Sequence, residues 1–297
     1  MYCRAVLPNA GLGNKLFPWA RCRVFSLEHG IGMLAPCWTQ LKVGPILRGH
    51  RDARLYHDLF KSKVPGDISA PRAWWLRLST RRVVYEPLDA HTLGLSPGAL
   101  EMVVFRGERD HFESLTGWHA VLLQQLRAMT RERWLQRADQ VGEVRVGIHV
   151  RRGDFVEAAS EEDFILKGAV RTPLDWFVES IAAIRRMLGY AVPALVVSDA
   201  PDRLLADLLK EEAVTRADTG SAIGDLLVLS QAKLLLASGG SSFSAWAAFL
   251  GQMPTVSYPG QSLSWFKIVP VLGQYLGEWS HRTSTPRLLA EQVQTLG

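Results

Sequence analysis

Val144-Arg145-Val146-Gly147-Ile148-His149-Val150-Arg151-Arg152-Gly153-Asp154 is the stretch whose reading decides the fold. Its first seven residues are β-rich and run without a break into a charged loop, as a strand of a parallel sheet does when its carboxyl end serves a site. Working outward toward the C-terminus, residues 172–188 place Leu174, Phe177, Ile181, Ile184 and Leu188 on one face of an amphipathic helix. Short apolar strands are expected at residues 194–197, 234–237 and 255–258, with helices at 202–209, 225–232 and 242–250. Strands alternating with helices imply βαβ units and a parallel sheet, so this half reads as Rossmann-like.

The other end of the chain begins in the same way. Residues 2–7 read as a strand, 9–14 as a glycine-rich turn, and 15–28 as a helix with Leu16, Ala20, Val24 and Leu27 in one stripe. A second strand is expected at 31–35. Residues 38–101 interleave Pro, Gly and Arg and suggest loops and short helices, whereas 120–134 read as one helix. The expected fold is α/β: two facing Rossmann-like domains, residues 1–140 and 141–297, with a ligand crevice at the carboxyl ends of their strands.

Composition excludes several classes. At 297 residues, 47% hydrophobic and 21% charged, the chain is globular, not disordered or fibrous. The most apolar stretch, residues 226–249, is interrupted by Lys233 and by glycines and serines, too broken for a membrane span. The first residues lack the apolar core and cleavage site of a signal peptide, and the cytoplasm is the expected location. Cys3, Cys22 and Cys37 lack CxxC spacing and read as buried small hydrophobes in a reducing compartment. The net charge of +5, with 26 arginines against eight lysines, suits anion recognition and equally suits a biased genome. The basic residues are scattered, so no nucleic-acid partner is expected; a membrane contact through exposed arginine stays open.

Four constellations can carry chemistry. In Gly11-Leu12-Gly13-Asn14-Lys15, the glycines Gly11 and Gly13 permit a tight turn and the helix start offers free N–H groups. Asn14 either caps that helix or offers its amide to a substrate, and an ordinary strand-to-helix turn looks the same in sequence. The pattern is neither a P-loop nor a dinucleotide fingerprint. In His149-Val150-Arg151-Arg152-Gly153-Asp154, strand alternation puts His149 and Arg151 on one face and Arg152 on the other. One arginine can reach a diphosphate while the other pairs with Asp154; a surface salt-bridge cluster is the bland alternative. Ser241 and Ser242, at a helix start, can bind phosphate oxygens or simply cap. Asp199 can accept hydrogen bonds from a base or ribose, with Asp202 expected as a helix cap. No Asp-x-Asp, HExxH or Cys/His cluster occurs, so no metal is expected.

Taken together these segments resemble the α1,2/α1,6 and protein O-fucosyltransferase superfamily, and most of all the bacterial α1,2-fucosyltransferases. The matching pieces are Gly11-Leu12-Gly13-Asn14-Lys15-Leu16-Phe17 with Ala20, then Ile148-His149-Val150-Arg151-Arg152-Gly153-Asp154 and Val197-Ser198-Asp199. They continue with Asp225-Leu226-Leu227-Val228-Leu229-Ser230 and Ser241-Ser242-Phe243-Ser244-Ala245-Trp246. The HxRRxD element is the most specific. The resemblance implies a GT-B-like fold, GDP-fucose as donor, no metal, and inversion at the anomeric carbon. It also implies that Arg151 holds the β-phosphate, His149 lies near the nucleotide, Ser241 and Ser242 contact the phosphates, Asp199 falls near the nucleoside, and Asn14 lies near sugar and acceptor. The chain departs from the pattern at Gly240, where the family has Asn; at Ala245-Trp246, in place of paired Trp; at Lys15, in place of Gln; and at Phe17-Pro18-Trp19, where the acceptor is expected.

The expected activity is transfer of fucose from GDP-fucose to a hydroxyl of an oligosaccharide or glycoconjugate, in α1,2 linkage. Arg151, the loop amides around Ser241, and Lys15 would stabilise the departing GDP, Arg152 is a further donor-binding candidate, and His149 and Asp154 are candidate bases by type. Trp74-Trp75 would either shape the acceptor pocket or belong to the core. The alternatives are a transferase for another GDP- or NDP-sugar and a non-catalytic nucleotide-sugar-binding subunit.

Overall fold

Two parallel sheets organise the protein, one in each of the units into which the chain divides: the described residues up to Arg131, and Glu132–Gly297. The computed structural model describes residues 1–39, 56, 58–61, 64, 66–80, 82–86 and 101–297. The division therefore falls at Arg131, short of position 140.

In the N-terminal unit, β1 (Tyr2–Val6) leads through the glycine-rich turn into α1 (Leu12–Glu28). There follow β2 (Met33–Leu34), β3 (Asp67–Ile68), α2 (Ala70–Ser79), β4 (Arg82–Tyr85), β5 (Glu101–Arg106) and α3 (His119–Met129). The strand order is β3-β2-β1-β5-β4, every pair parallel. α1 starts at Leu12, with Gly11 at the N-cap, so Asn14 sits inside the first turn and does not cap it. Almost all of α1 is buried, polar residues included, because both of its flanks meet protein. In the described part of residues 38–101 the expected loops and a short helix, α2, are joined by two short strands, β3 and β4, that the sequence reading did not expect; much of that region lies outside the described residues. The helix expected over 120–134 breaks at Thr130, whose hydroxyl donates to the Leu126 carbonyl at 2.7 Å while the chain bridges to Phe60. Cys3 and Cys22 are buried as expected, and burial raises the Cys22 thiol pKa, but Cys37 is exposed.

The C-terminal unit runs α4 (Glu132–Gln140), β6 (Val146–Val150), α5 (Asp163–Leu166), α6 (Leu174–Leu188), β7 (Ala194–Ser198), α7 (Ala206–Leu209) and β8 (Val214–Arg216). It continues through α8 (Ala222–Leu229), β9 (Leu234–Ala237), α9 (Ser242–Gly251), β10 (Thr255–Ser257), β11 (Leu276–Glu278) and α10 (Arg287–Gln294). The sheet order β11-β10-β9-β6-β7-β8, all parallel, is the doubly wound dinucleotide-fold order, with β6 as its first strand. Alternation along β6 explains its central place. Val146, Ile148 and Val150 pack with Phe177, Ile181 and Ile184 of α6 in one apolar cluster, each such side chain contributing about 1.5–3 kcal/mol by burial. On the opposite face Gly147 lets α8 approach, since a Cβ there would lie 2.9 Å from Ala232 and 3.2 Å from Leu229. α6 ends at Gly189, whose φ of 76° closes it in a left-handed cap.

Candidate functional site

From β6 the chain winds toward β7, and from β9 it winds the other way toward β10, so a crevice opens at the carboxyl ends of these two neighbouring strands. The loops that border it are residues 151–154 and 238–241. Ser238, fully buried, ties them together: its hydroxyl donates to the His149 carbonyl at 2.9 Å and accepts from the Arg151 amide at 2.9 Å. The glycines beside it are sterically required. A Cβ on Gly239 would overlap the Gln261 carbonyl, and one on Gly240, at φ +66°, would overlap the Gly168 carbonyl. The close approach of Gly168 thus explains why glycine replaces the family's asparagine at position 240.

Asp199, at the end of β7, organises the arginine loop. Its carboxylate accepts from the Arg152 amide at 2.9 Å and pairs with the Arg151 guanidinium at 2.7 Å. Asp154 takes a second edge of Arg151 at 2.5 Å, and the Phe155 ring lies 5.6 Å from that guanidinium. Arg151 is therefore held between two carboxylates, with its side chain largely out of solvent. Arg152 differs: among the described residues its guanidinium makes no ion pair or hydrogen bond. Burial lowers its pKa from the ordinary arginine value, Arg171 adding to the effect while Glu157 and Asp199 oppose it. A half-buried cation in that condition is stabilised by the arrival of an anion.

His149 is 4% exposed, with Nδ1 2.6 Å from the Ser244 hydroxyl and its ring 5.0 Å from Phe243. Burial drives its pKa down to about 3, with Asp199 opposing and Arg151 assisting, so the imidazole is neutral at ordinary pH. Ser241 is the N-cap of α9, its hydroxyl accepting from the Ser244 amide at 3.5 Å, and Ser242 opens the helix. The first-turn amides of α9, the positive end of the helix dipole, thus stand beside the arginine loop. Asp202 pairs with Arg216 and caps no helix; a 3₁₀ turn and the short α7 stand where one helix was expected.

His149, Arg151, Arg152, Asp154, Asp199, Ser241 and Ser242 therefore gather at one end of one sheet. Gly11, Gly13, Asn14 and Lys15 belong to the N-terminal unit, where they border the ends of β1 and β5. Lys15 is buried and its Nζ donates to the Pro8 carbonyl at 2.9 Å. Asn14 hydrogen-bonds Glu108, whose carboxyl burial raises above its ordinary pKa against the pull of Asn14 and Arg21. Arg21 holds the loop after β5 through the carbonyls of Arg106, Gly107 and Arg109 at 3.2, 3.0 and 2.9 Å. Asp110 and His111 follow with φ of 55° and 45°, two consecutive left-handed residues of a kind that collects at functional loops. Phe17 and Trp19 are core residues. Ser238 belongs to the small-residue run read before α9, but its role as a clamp was not read, and Glu108 was missed; a charged loop directly after the apolar strand Glu101–Arg106 was the available signal for the second. Among the described residues no group of His, Cys, Asp and Glu has the arrangement of a metal site.

Residues 105–266, more than half of the chain, match the model of the family described as Glycosyl transferase family 11. A comparison with curated proteins finds no match. Among solved structures, POFUT1 in complex with GDP superposes with a TM-score of 0.52 at 12% identity, covering 86% of this chain and 97% of that one. The fucosyltransferase NodZ from Bradyrhizobium superposes with a TM-score of 0.49 at 14% identity, covering 87% of this chain and 96% of that one.

Proposed function

This chain belongs to glycosyl transferase family 11, and from that premise we propose that it transfers fucose from GDP-fucose to a hydroxyl of an oligosaccharide or glycoconjugate. The observation that carries the reading is the arginine loop and the α9 N-terminus flanking the point where the strand order reverses. Such a crevice suits a nucleoside diphosphate, whose charge grows as the glycosidic bond breaks. POFUT1, whose fold this chain shares, is solved with GDP, which is consistent with a GDP-bearing ligand in this crevice.

In this mechanism the acceptor hydroxyl displaces GDP directly at the anomeric carbon, with inversion, without metal, and in α1,2 linkage, its proton passing to the departing diphosphate or to water as the bond to GDP breaks. Arg152 and the α9 amides meet the phosphates. Arg151, oriented by Asp154 and Asp199, adds its charge to the β-phosphate side. His149, neutral and enclosed, holds the floor of the crevice through Ser244 and abstracts no proton. Lys15, engaged with Pro8, stiffens the turn that presents Asn14.

The test is calorimetric titration of the full chain with GDP, GDP-fucose, GDP-mannose and UDP-sugars in EDTA, followed by transfer assays with a panel of glycans. Selective binding of GDP and GDP-fucose is expected, and Arg151→Ala is expected to lower transfer by about 100- to 1000-fold. Preference for a UDP-sugar, or strict dependence on added Mn²⁺, would overturn the reading.

A further inference from the structure

In the N-terminal unit α1 packs on β1, β2 and β5, and α2 meets the sheet through Leu76. Tyr2 and Leu34 meet Leu76 of α2 in a small apolar cluster, with Ala73 and Met102 at its margin. At 100° per residue, the side of α2 opposite Leu76 and Ala73 carries Pro71, Trp74, Trp75 and Leu78. This outward side is apolar: Trp74 is 67% exposed, Trp75 55% and Leu78 67%. Register continues the surface beyond the helix. Val83 pairs with Met102 and Tyr85 with Val104, so both lie on the sheet face that α2 covers, and both are exposed. The tryptophans are therefore not core residues: they stand on the surface of an amphipathic helix that turns its larger apolar side outward.

Charge says what fits that side. Between Asp67 and Glu86 the sequence contains no acidic residue, while it contains Arg72, Arg77, Arg81 and Arg82, of which Arg82 is paired with Glu101 at 3.1 Å. Arg72 is exposed, and the whole chain carries a net charge of +5. Trp and Leu flanked by arginine, on a short helix lying along a surface, match the interface of an anionic bilayer, where indoles seat at headgroup depth and guanidinium groups meet lipid phosphate. A second copy of the chain fits worse, because two-fold packing would set these arginine-rich stretches against each other. A stacked sugar also fits worse: residues 68–85 supply no Asp, Glu, Asn or Gln to hold its hydroxyls. No described helix is long and apolar enough to cross a membrane, so the contact is one of lying on the surface.

We propose that the outward side of α2, with Trp74, Trp75 and Leu78, docks the protein onto the surface of an anionic lipid bilayer. The docking brings the N-terminal unit to a bilayer whatever sugar the C-terminal unit takes, so it stands apart from the donor assignment.

The experiment is flotation of the full chain with phosphatidylcholine vesicles, with and without phosphatidylglycerol. The wild type is expected to float with the anionic vesicles, far less with neutral ones, and to be released by high salt. Trp74→Ser with Trp75→Ser should lower the bound fraction at least about tenfold, Arg72→Glu should lower it less, and Trp74→Phe with Trp75→Phe should keep it. Leu78→Ser provides an independent probe should the double serine variant unfold in a thermal melt. Three results would overturn the proposal: no flotation of the wild type, flotation unchanged in both serine variants, or loss of self-association in those variants with no vesicle binding in the wild type. Loss of sugar transfer with flotation intact would likewise overturn it, assigning the tryptophans to a glycan.

Discussion

Both units take arginines out of solvent beside a parallel sheet, yet they use them in opposite ways. In the N-terminal unit Arg21 and Arg23 are 5% and 2% exposed and are consumed internally. Arg21 forms a bidentate pair with Glu86 at 2.9 and 2.7 Å and holds three loop carbonyls, while Arg23 pairs with Asp67. In the C-terminal unit two carboxylates orient Arg151 and the same Asp199 fixes only the backbone of Arg152, leaving that guanidinium uncommitted. A buried arginine whose charge is already matched is a strut, and one whose charge is unmatched is a receptor. Under the proposed function, the Arg152 guanidinium, unpaired among the described residues, is the group that meets the donor's phosphates, and Arg151 is held in place beside it by its two carboxylates.

The sharpest way to break this comparison is to remove a strut. Arg21→Met should cost about 3–5 kcal/mol in the urea unfolding of the N-terminal unit, because Glu86 would keep its burial and lose its partner. A cost below about 1 kcal/mol would mean that Arg21 is as dispensable as a surface cation. The receptor should behave in reverse. Arg152→Ala is expected to weaken GDP binding about 10- to 100-fold by calorimetry, yet to change unfolding free energy by no more than about 0.5 kcal/mol. Unaltered GDP affinity in that variant would move the phosphate contact to Arg151 alone.

How much of this was legible in the sequence depended on the range of the interactions involved. β6 and its loop were readable because alternation of Val146, Ile148 and Val150 with Gly147 and His149 is local, and the charged turn follows at once. The division of labour between Arg151 and Arg152 was only half readable, since Asp199, which sets it, lies 47 residues from Arg152. Ser238 was invisible as a clamp for the same reason: its partners at positions 149 and 151 are 89 and 87 residues away. β8 and β11, three residues each, present no periodicity to read, and Gly277 further weakens the second. Of the two readings of Trp74 and Trp75, burial in the core fails, because bulk favours burial but α2 meets the small N-terminal sheet through its Leu76 side. The capping of α1 by Gly11 in place of Asn14 shows the usual limit on reading a helix boundary.

An acid titration tests whether the crevice floor is neutral, as the proposed donor reading has it. His149 has a folded pKa of about 3, against about 6.5 for a free imidazole, because burial disfavours the cation. A depressed folded value means that the unfolded chain takes up a proton below pH 6.5 that the folded protein refuses. The contribution to stability is therefore whole above about pH 6.5 and is lost as pH falls toward about 3, at about 1.4 kcal/mol per pH unit from this one group. His149→Asn removes the titration while keeping a polar partner for Ser244, so its unfolding free energy should fall less steeply with acid than the wild type's, by about that slope. Parallel curves would mean that His149 protonates in place, which would put a second positive charge under the arginine loop and turn the floor of the crevice into part of the receptor.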